Sequence, residues 1–248
     1  LYFGVGYSKS GQVKLSSSQL SSLKNLLSTP TSPFCELQVK DFFAVYFKNK
    51  NVPFFEDTYG NLVVGATNAR EYKKKLNLRE KSALKIIVAH MDHPGFIAKK
   101  WKSERVLAVE WHGGSPIKDL KGAKVWLSSK HTPKEFYYGN LQNPKLAKSG
   151  RYLLKAEVKL EANALEALRG WNPQDIFGGF GFRAPVWQQG SFLYTKAADD
   201  LIGAFSVAEV AADLYRRPNK DQKNFIGLLT RSEEVGFIGM LEHLDRGY

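Results

Sequence analysis

Three short stretches of this chain carry residue types whose spacing could do chemistry. They are Ala89-His90-Met91-Asp92-His93-Pro94-Gly95-Phe96, Lys196-Ala197-Ala198-Asp199-Asp200-Leu201-Ile202-Gly203 and Thr230-Arg231-Ser232-Glu233-Glu234-Val235-Gly236-Phe237. Each follows a short apolar or β-favouring run, so each stands where a strand would end. Open α/β sheets build their sites at the carboxyl ends of strands. One histidine, a pair of aspartates and a pair of glutamates at three such ends is what two adjacent zinc ions need. The chemistry that follows is metal-assisted hydrolysis.

Each stretch also has a plainer reading. His90 and Asp92 lie two positions apart beyond a strand, so extended backbone puts them on one face. Asp92 then suits the carboxylate that often holds the far ring nitrogen of a zinc-bound imidazole, but His-x-Asp alone is more readily structural. In Asp199-Asp200 one carboxylate could simply cap the next helix. The other has no capping duty and could bridge two cations, whose charge offsets the crowding. Glu233-Glu234 ahead of a helix could be a favourable dipole pair. Together the three pairs fall at one end of one expected sheet, and they supply a distinct residue for each role in a two-metal hydrolase.

The elements that must position these residues are legible around them. Leu20, Leu23, Leu26 and Leu27 recur at helical spacing over Ser17 to Leu27, and a second amphipathic helix runs from Glu36 to near Asn51. Pro53 to Ala66 reads as a β-hairpin turning at Thr58-Tyr59-Gly60-Asn61. Leu84 to Ala89 has the near-continuous apolar character of a buried central strand, and Phe225 to Thr230 is a second. A helical face follows from Gly203 to Tyr215, closed by Arg216, Arg217 and Pro218, and another helix is expected from Val235 onward. From Ile97 to Pro185 the texture changes. Short β-like pieces (Val106–Val109, Ala123–Leu127, Phe136–Tyr138, Tyr152–Leu154) alternate with Gly, Pro and Asn, which reads as a small β-barrel or sandwich inserted between two α/β segments.

Composition bounds the rest. With 248 residues, 43% hydrophobic and 24% charged, the chain reads as ordinary globular protein with a sizeable core. No apolar run approaches the roughly 20 residues that span a bilayer. The formal net charge is +12, but the basic residues are scattered, which favours a lysine-rich solvated surface over a nucleic-acid stripe. The densest run, Arg70 to Lys75, is expected in an exposed polar loop with Thr67 and Asn68. Cys35 is the only cysteine, which excludes an intrachain disulfide and a thiolate zinc cage, and a cytoplasmic setting fits this best. The chain opens on Leu1 without a charged-then-apolar leader, so it reads as processed or as a piece of a longer sequence.

The motifs Tyr59-Gly60-Asn61-Leu62, Ala89-His90-Met91-Asp92 with Gly95-Phe96, Ala198-Asp199-Asp200 with Gly203, and Glu233-Glu234-Val235-Gly236 resemble those of the co-catalytic zinc aminopeptidases of the tetrahedral type. That family includes glutamyl aminopeptidases and proteins once labelled endoglucanases. The resemblance covers about residues 18 to 248. It implies an α/β zinc-exopeptidase fold, a mixed sheet flanked by helices and interrupted by a β-barrel-like domain. The implied organisation is a loose arm (1–17), a first catalytic part (18–96), an inserted domain for oligomerisation and substrate access (97–185) and a second catalytic part (186–248). It implies two divalent metal ions, zinc or alternatively cobalt. His90 ligates one, Asp199 bridges both and Glu234 ligates the second, with Glu233 as general base and Asp92 orienting His90. The implied activity is removal of amino-terminal residues from peptides, in a homo-oligomer of two to twelve copies, with neither nucleic acid nor membrane as partner.

Two departures touch no ligand. His93-Pro94 stands where the family usually has Glu-Val, and Leu201 where it usually has Arg. The family also carries a further Asp ligand some twenty residues beyond the Glu pair and a last His near its carboxyl terminus, whereas this sequence ends at Tyr248. His243 and Asp245 are expected in a helix leading away from the site. Residues 1–248 are therefore expected to hold a partial cage and to be inactive alone. Rival readings are a related di-zinc carboxypeptidase or deacylase, whose His-x-Asp usually lacks the following Gly-Phe, and a non-catalytic paralogue acting in binding or assembly, against which the retained Glu233 argues.

Overall fold

The computed structural model describes residues 15–77, 84–131, 135–181, 183–216, 222 and 224–247. Most of the expected amino-terminal arm lies outside these residues. Helix α1 (Ser17–Leu27) begins at a capping box, in which Ser16 Oγ accepts from the Gln19 amide and Gln19 Oε1 accepts from the Ser16 amide. Helix α2 (Leu37–Asn49) buries Val39, Phe43, Tyr46 and Phe47 on one face. The expected hairpin forms as β1 (Phe54–Glu56) and β2 (Leu62–Val64). Asp57 Oδ1 fixes its turn by accepting the amides of Tyr59, Gly60 and Asn61, each at 2.9 Å.

The run Arg70 to Lys75 departs from expectation. It is not a polar loop but helix α3 (Ala69–Leu76), capped by Asn68 Oδ1 on the Glu71 amide. Tyr72 and Lys75 are buried, and Lys75 Nζ donates to the Gly65 and Gln222 carbonyls. Tyr72 and Leu76, four apart, give one apolar face, which the dense charge obscures.

Strands β3 (Lys85–His90) and β12 (Phe225–Thr230) join the hairpin in a mixed sheet of order β1-β2-β12-β3, with β12 parallel to β3 and antiparallel to β2. All six residues of β12 are buried, as expected. Strand β3 is not central. Among the described residues it is an edge, with Ile86, Ile87 and Val88 40–48% exposed. A continuous apolar run records what a strand prefers to touch but not how many neighbours it has. One face of the sheet (Leu62, Val64, Ala89, Phe225, Leu229) packs on α1, α2 and α5 (Ala198–Arg216). The other (Val63, Ile226, Leu228) meets Tyr72 and Leu76 of α3 and Met240 of α6 (Ile238–Asp245).

Between β3 and α5 the chain builds a closed barrel of order β4-β5-β8-β7-β6-β9. Its strands are β4 (Gly95–Ser103), β5 (Val106–His112), β6 (Lys124–Ser129), β7 (Tyr137–Leu146), β8 (Leu153–Leu160) and β9 (Ile176–Phe180). Alternating residues of β5 (Leu107, Val109, Trp111) point inward to Phe96, Val125, Leu127 and Leu141, and the short helix α4 (Ala162–Leu168) adds Ala164 and Leu168 to this core. A hairpin of β10 (Val186–Gln189) and β11 (Phe192–Thr195) leads into α5.

Candidate metal centre

Parallel pairing of β3 with β12 aligns His90 with Thr230, and the Met91 amide still reaches the Thr230 carbonyl at 2.9 Å. His90 and the loop carrying Glu233 and Glu234 therefore leave the sheet side by side. The Asp pair arrives differently from expectation. It follows β11, which belongs to a separate two-stranded sheet, and it stands at the start of α5. Helix α5 packs across β3 and β12 and delivers Asp199 and Asp200 to the same end. Helices as well as strands thus converge on the site.

His90 is buried and its Nε2 faces the carboxylates, 3.4 Å from Asp199 Oδ1 and 3.5 Å from Glu233 Oε2. His90, Glu233 and Glu234 offer ligand atoms all within 4.8 Å of one another, the one such trio among the described residues. Two donors bound at ~2.0–2.1 Å to one tetrahedral zinc stand about 3.4 Å apart, so the spacing around Nε2 fits donors that share an ion. The other ring nitrogen, Nδ1, lies 3.2 Å from the Asp92 carbonyl and 3.4 Å from its Oδ1. A proton there leaves the Nε2 lone pair for the site.

Asp92 is fully buried and spans more than His90. Its two oxygens accept the amides of Glu233 at 3.0 Å and Glu234 at 3.1 Å. The two aspartates of α5 divide their work. Asp199 has a side chain 73% exposed on the site. Asp200 turns back, its Oδ2 accepting the His90 amide at 3.3 Å. It folds over the first turn of α5, where a Cβ on Gly203 would stand 2.0 Å from its Oδ1. Gly203 is needed because the carboxylate occupies that space. Gly95 answers to backbone, since a Cβ there would stand 2.3 Å from the Gly178 carbonyl oxygen.

Electrostatics binds the cluster together. Burial pulls the His90 pKa down, but the hydrogen bond and charge of Asp92, with the charges of Glu233 and Asp200, override it and raise His90 to about 9. Burial raises Glu234 to about 7, with the charges of Asp92, Glu233 and Asp199 adding to it. Asp200 is raised, chiefly by burial. His93 reaches the Asp199 carbonyl through Nδ1 at 3.0 Å, and burial with the nearby Lys196 charge lowers it to about 4. With Nε2 protonated, His90 is the cation these carboxylates face, and a metal ion would take the place of that proton.

His243 stands apart from this centre. Its Nδ1 pairs with Asp57 Oδ2 at 2.8 Å and its Nε2 meets the Tyr72 hydroxyl at 3.1 Å. The sequence reading missed Glu36 and Arg231, which buttress the loop of Glu233. Nothing in their local sequence announces that two charged residues nearly 200 positions apart will pair.

This mixed sheet flanked by helices, with a closed barrel between β3 and α5, is a fold shared with solved structures described as aminopeptidases or peptidases. The chain matches no protein-family model and no curated protein. Among solved structures it is similar to PhTET1-12s, described as a dodecamer, at TM-score 0.66 and 22% identity over 92% of this chain and 65% of that one. It is similar to an aminopeptidase from the archaeon Desulfurococcus kamchatkensis at TM-score 0.64 and 23% identity, over 91% and 59%. The TET1 peptidase of Pyrococcus horikoshii, described as assembling into a tetrahedron or a large octahedral shell, matches at TM-score 0.63 and 23% identity, over 93% and 66%. This chain thus spans about three-fifths to two-thirds of those structures' length.

Proposed function

We propose that these residues form the metal-binding core of a metal-dependent aminopeptidase, a hydrolase that removes amino-terminal residues from peptides. The observation that carries the reading is His90 Nε2 standing 3.4 Å from Asp199 Oδ1, the spacing of donors that share one cation, with the Glu233 carboxylate beside them at 3.5 Å, where a base would stand. In this proposal His90, Asp199 and Glu234 hold divalent metal, zinc first. Bound there, the metal would polarise the scissile carbonyl and lower the pKa of water. Glu233 accepts the proton of the attacking water and returns it to the leaving amine. Asp92 keeps the His90 lone pair directed at the site and fixes both glutamates through their amides. A catalytic zinc usually keeps three protein ligands. These residues would supply two donors toward each of two ions, and the resemblance assigns the remaining donors to a further Asp and a further His. The assemblies described for the similar structures support a homo-oligomer, whose contacts the resemblance assigns to the inserted barrel.

The test is release of amino-terminal residues from free and from amino-acetylated peptides by the whole protein with added zinc. Hydrolysis of the free peptide alone, abolished by chelator, is expected. Glu233→Gln should retain metal and lose ~10²–10⁴-fold in turnover. Near-normal turnover in that variant would refute the base, and cleavage of the acetylated peptide would refute the exopeptidase reading.

A further inference from the structure

The loop that delivers Glu233 and Glu234 begins with a residue in a conformation its side chain disfavours. Ser232 has φ 55° and ψ 41°, the left-handed region that favours glycine. This turn swings the chain out of β12 so that the next two amides face Asp92 and the two glutamate side chains face His90. Such a conformation persists in a residue with a Cβ only where its surroundings over-determine it. Here the determinant is Glu36, which arrives from the loop before α2. Its Oε1 accepts both the Ser232 amide and the Ser232 hydroxyl at 3.0 Å, and the Phe34 amide at 2.9 Å.

The grip is anchored behind Glu36 as well. Glu36 is fully buried, and its Oε2 accepts Arg231 Nε at 2.8 Å. Arg231 donates Nη1 to the Tyr59 carbonyl at 2.9 Å, and its amide goes to Asn61 Oδ1 at 2.9 Å. Asn61 is tied in turn to Asp57 and to the Gly239 carbonyl. Three separated segments, the loop before α2, the β1–β2 turn and the loop after β12, are thereby clamped by one buried carboxylate. Among the described residues Glu36 shares no hydrogen bond or ion pair with His90; it meets the centre through the charge of Asp92 and through the backbone of Ser232, and the backbone sets the geometry.

We propose that Glu36 is a positioning residue of the metal centre, holding Ser232 left-handed so that Glu233 and Glu234 are presented to His90. The proposal rests on the metal-centre reading above. It predicts that the conformational tolerance of residue 232, and not its hydroxyl, sets metal affinity. Ser232→Ala and Ser232→Gly both delete the hydroxyl, but only glycine takes the left-handed region freely.

The experiment is zinc titration by calorimetry of the protein and these variants at one pH, with thermal unfolding of each. Ser232→Ala should weaken zinc by about tenfold or more relative to Ser232→Gly, the range seen when groups that orient ligands are lost. Glu36→Gln must set an amide nitrogen against either Arg231 or Ser232, all of them donors, and should weaken zinc by a similar factor. In the Ser232→Gly background the same change should cost less than about threefold, because glycine does not need the clamp. Equal affinities for the Ala and Gly variants would overturn the proposal. So would a Glu36→Gln protein with a lower melting temperature but unchanged zinc binding, since that is a structural role only. If the unsubstituted protein takes up no zinc, the metal-centre reading fails by itself. Amide exchange at Glu233 and Glu234 then decides the positioning role: exchange about tenfold faster in Ser232→Ala than in Ser232→Gly supports it, and equal rates overturn it.

Discussion

At the scale of single residues, the Asp pair shows how neighbours of one type divide their duties. Asp199 faces the carboxylate cluster, while Asp200 ties the start of α5 to the His90 backbone. Asp199→Asn should therefore lower bound zinc more than Asp200→Asn, whereas Asp200→Asn should lower the melting temperature more. Elemental analysis and thermal unfolding of both variants check this, and equal metal content in the two would contradict it. Lys196 offers a cleaner electrostatic test. It is buried, donates to the Thr29 carbonyl at 2.9 Å and lies over the Trp126 ring at 5.2 Å. Burial lowers its pKa from 10.5 to about 7. Between those values the unfolded chain holds a proton that the folded chain does not, so stability rises with pH across that window. Lys196→Met should flatten the rise and stabilise the fold below pH 7 by on the order of a few kcal/mol, at about 1.4 kcal/mol per pKa unit. Urea unfolding of both proteins from pH 6 to 10 measures it, and parallel pH profiles would contradict it. That His90, Asp199, Glu233 and Glu234 come together was legible because each motif follows a short apolar or β-favouring run. Glu36, Arg231 and Lys196 were not legible, because burial and pairing across distant segments leave no local pattern.

At the scale of elements, the helices α1 and α2, the hairpin and β12 follow their apolar periodicity closely. The readings that failed did so for specific reasons. In α3 the lysines dominate composition, but Tyr72 and Leu76 set the face, and Lys75 buries its stem while its ammonium finds carbonyls. Strand β3 has the composition of a central strand and, among the described residues, the position of an edge. The Asp pair follows an apolar run, but among the described residues that run pairs only with β10 and not with the main sheet. Glycine at the head of β4 is a constraint of the same kind. Gly95→Ala would drive its Cβ into the Gly178 carbonyl of β9 and the Ser32 side chain, neither of which can swing aside freely. Overpacking of that sort costs roughly 1–3 kcal/mol. Chemical denaturation should show the loss, and a variant as stable as the parent would mean that β4 and β9 separate more easily than their pairing indicates.

At the scale of the whole molecule, the β3–β12 pair, α5 and the barrel each bring something to one place. The barrel contributes Gly113, whose Cβ would lie 3.1 Å from Glu234 Cβ, so the insert borders the centre. No helix among the described residues is long and apolar enough to cross a membrane. The proposed metal site is formed by His90 and the surrounding carboxylates. At neutral pH the imidazole, raised to about 9, is protonated in the metal-free protein and must lose that proton to ligate. The direct measurement is calorimetric zinc titration of residues 1–248 at pH 7 in buffers of differing ionisation enthalpy, repeated with His90→Ala. Weak zinc binding is expected, with proton release and loss in the variant. Absence of zinc binding, binding that survives His90→Ala, or tight uptake of two ions per chain would contradict it.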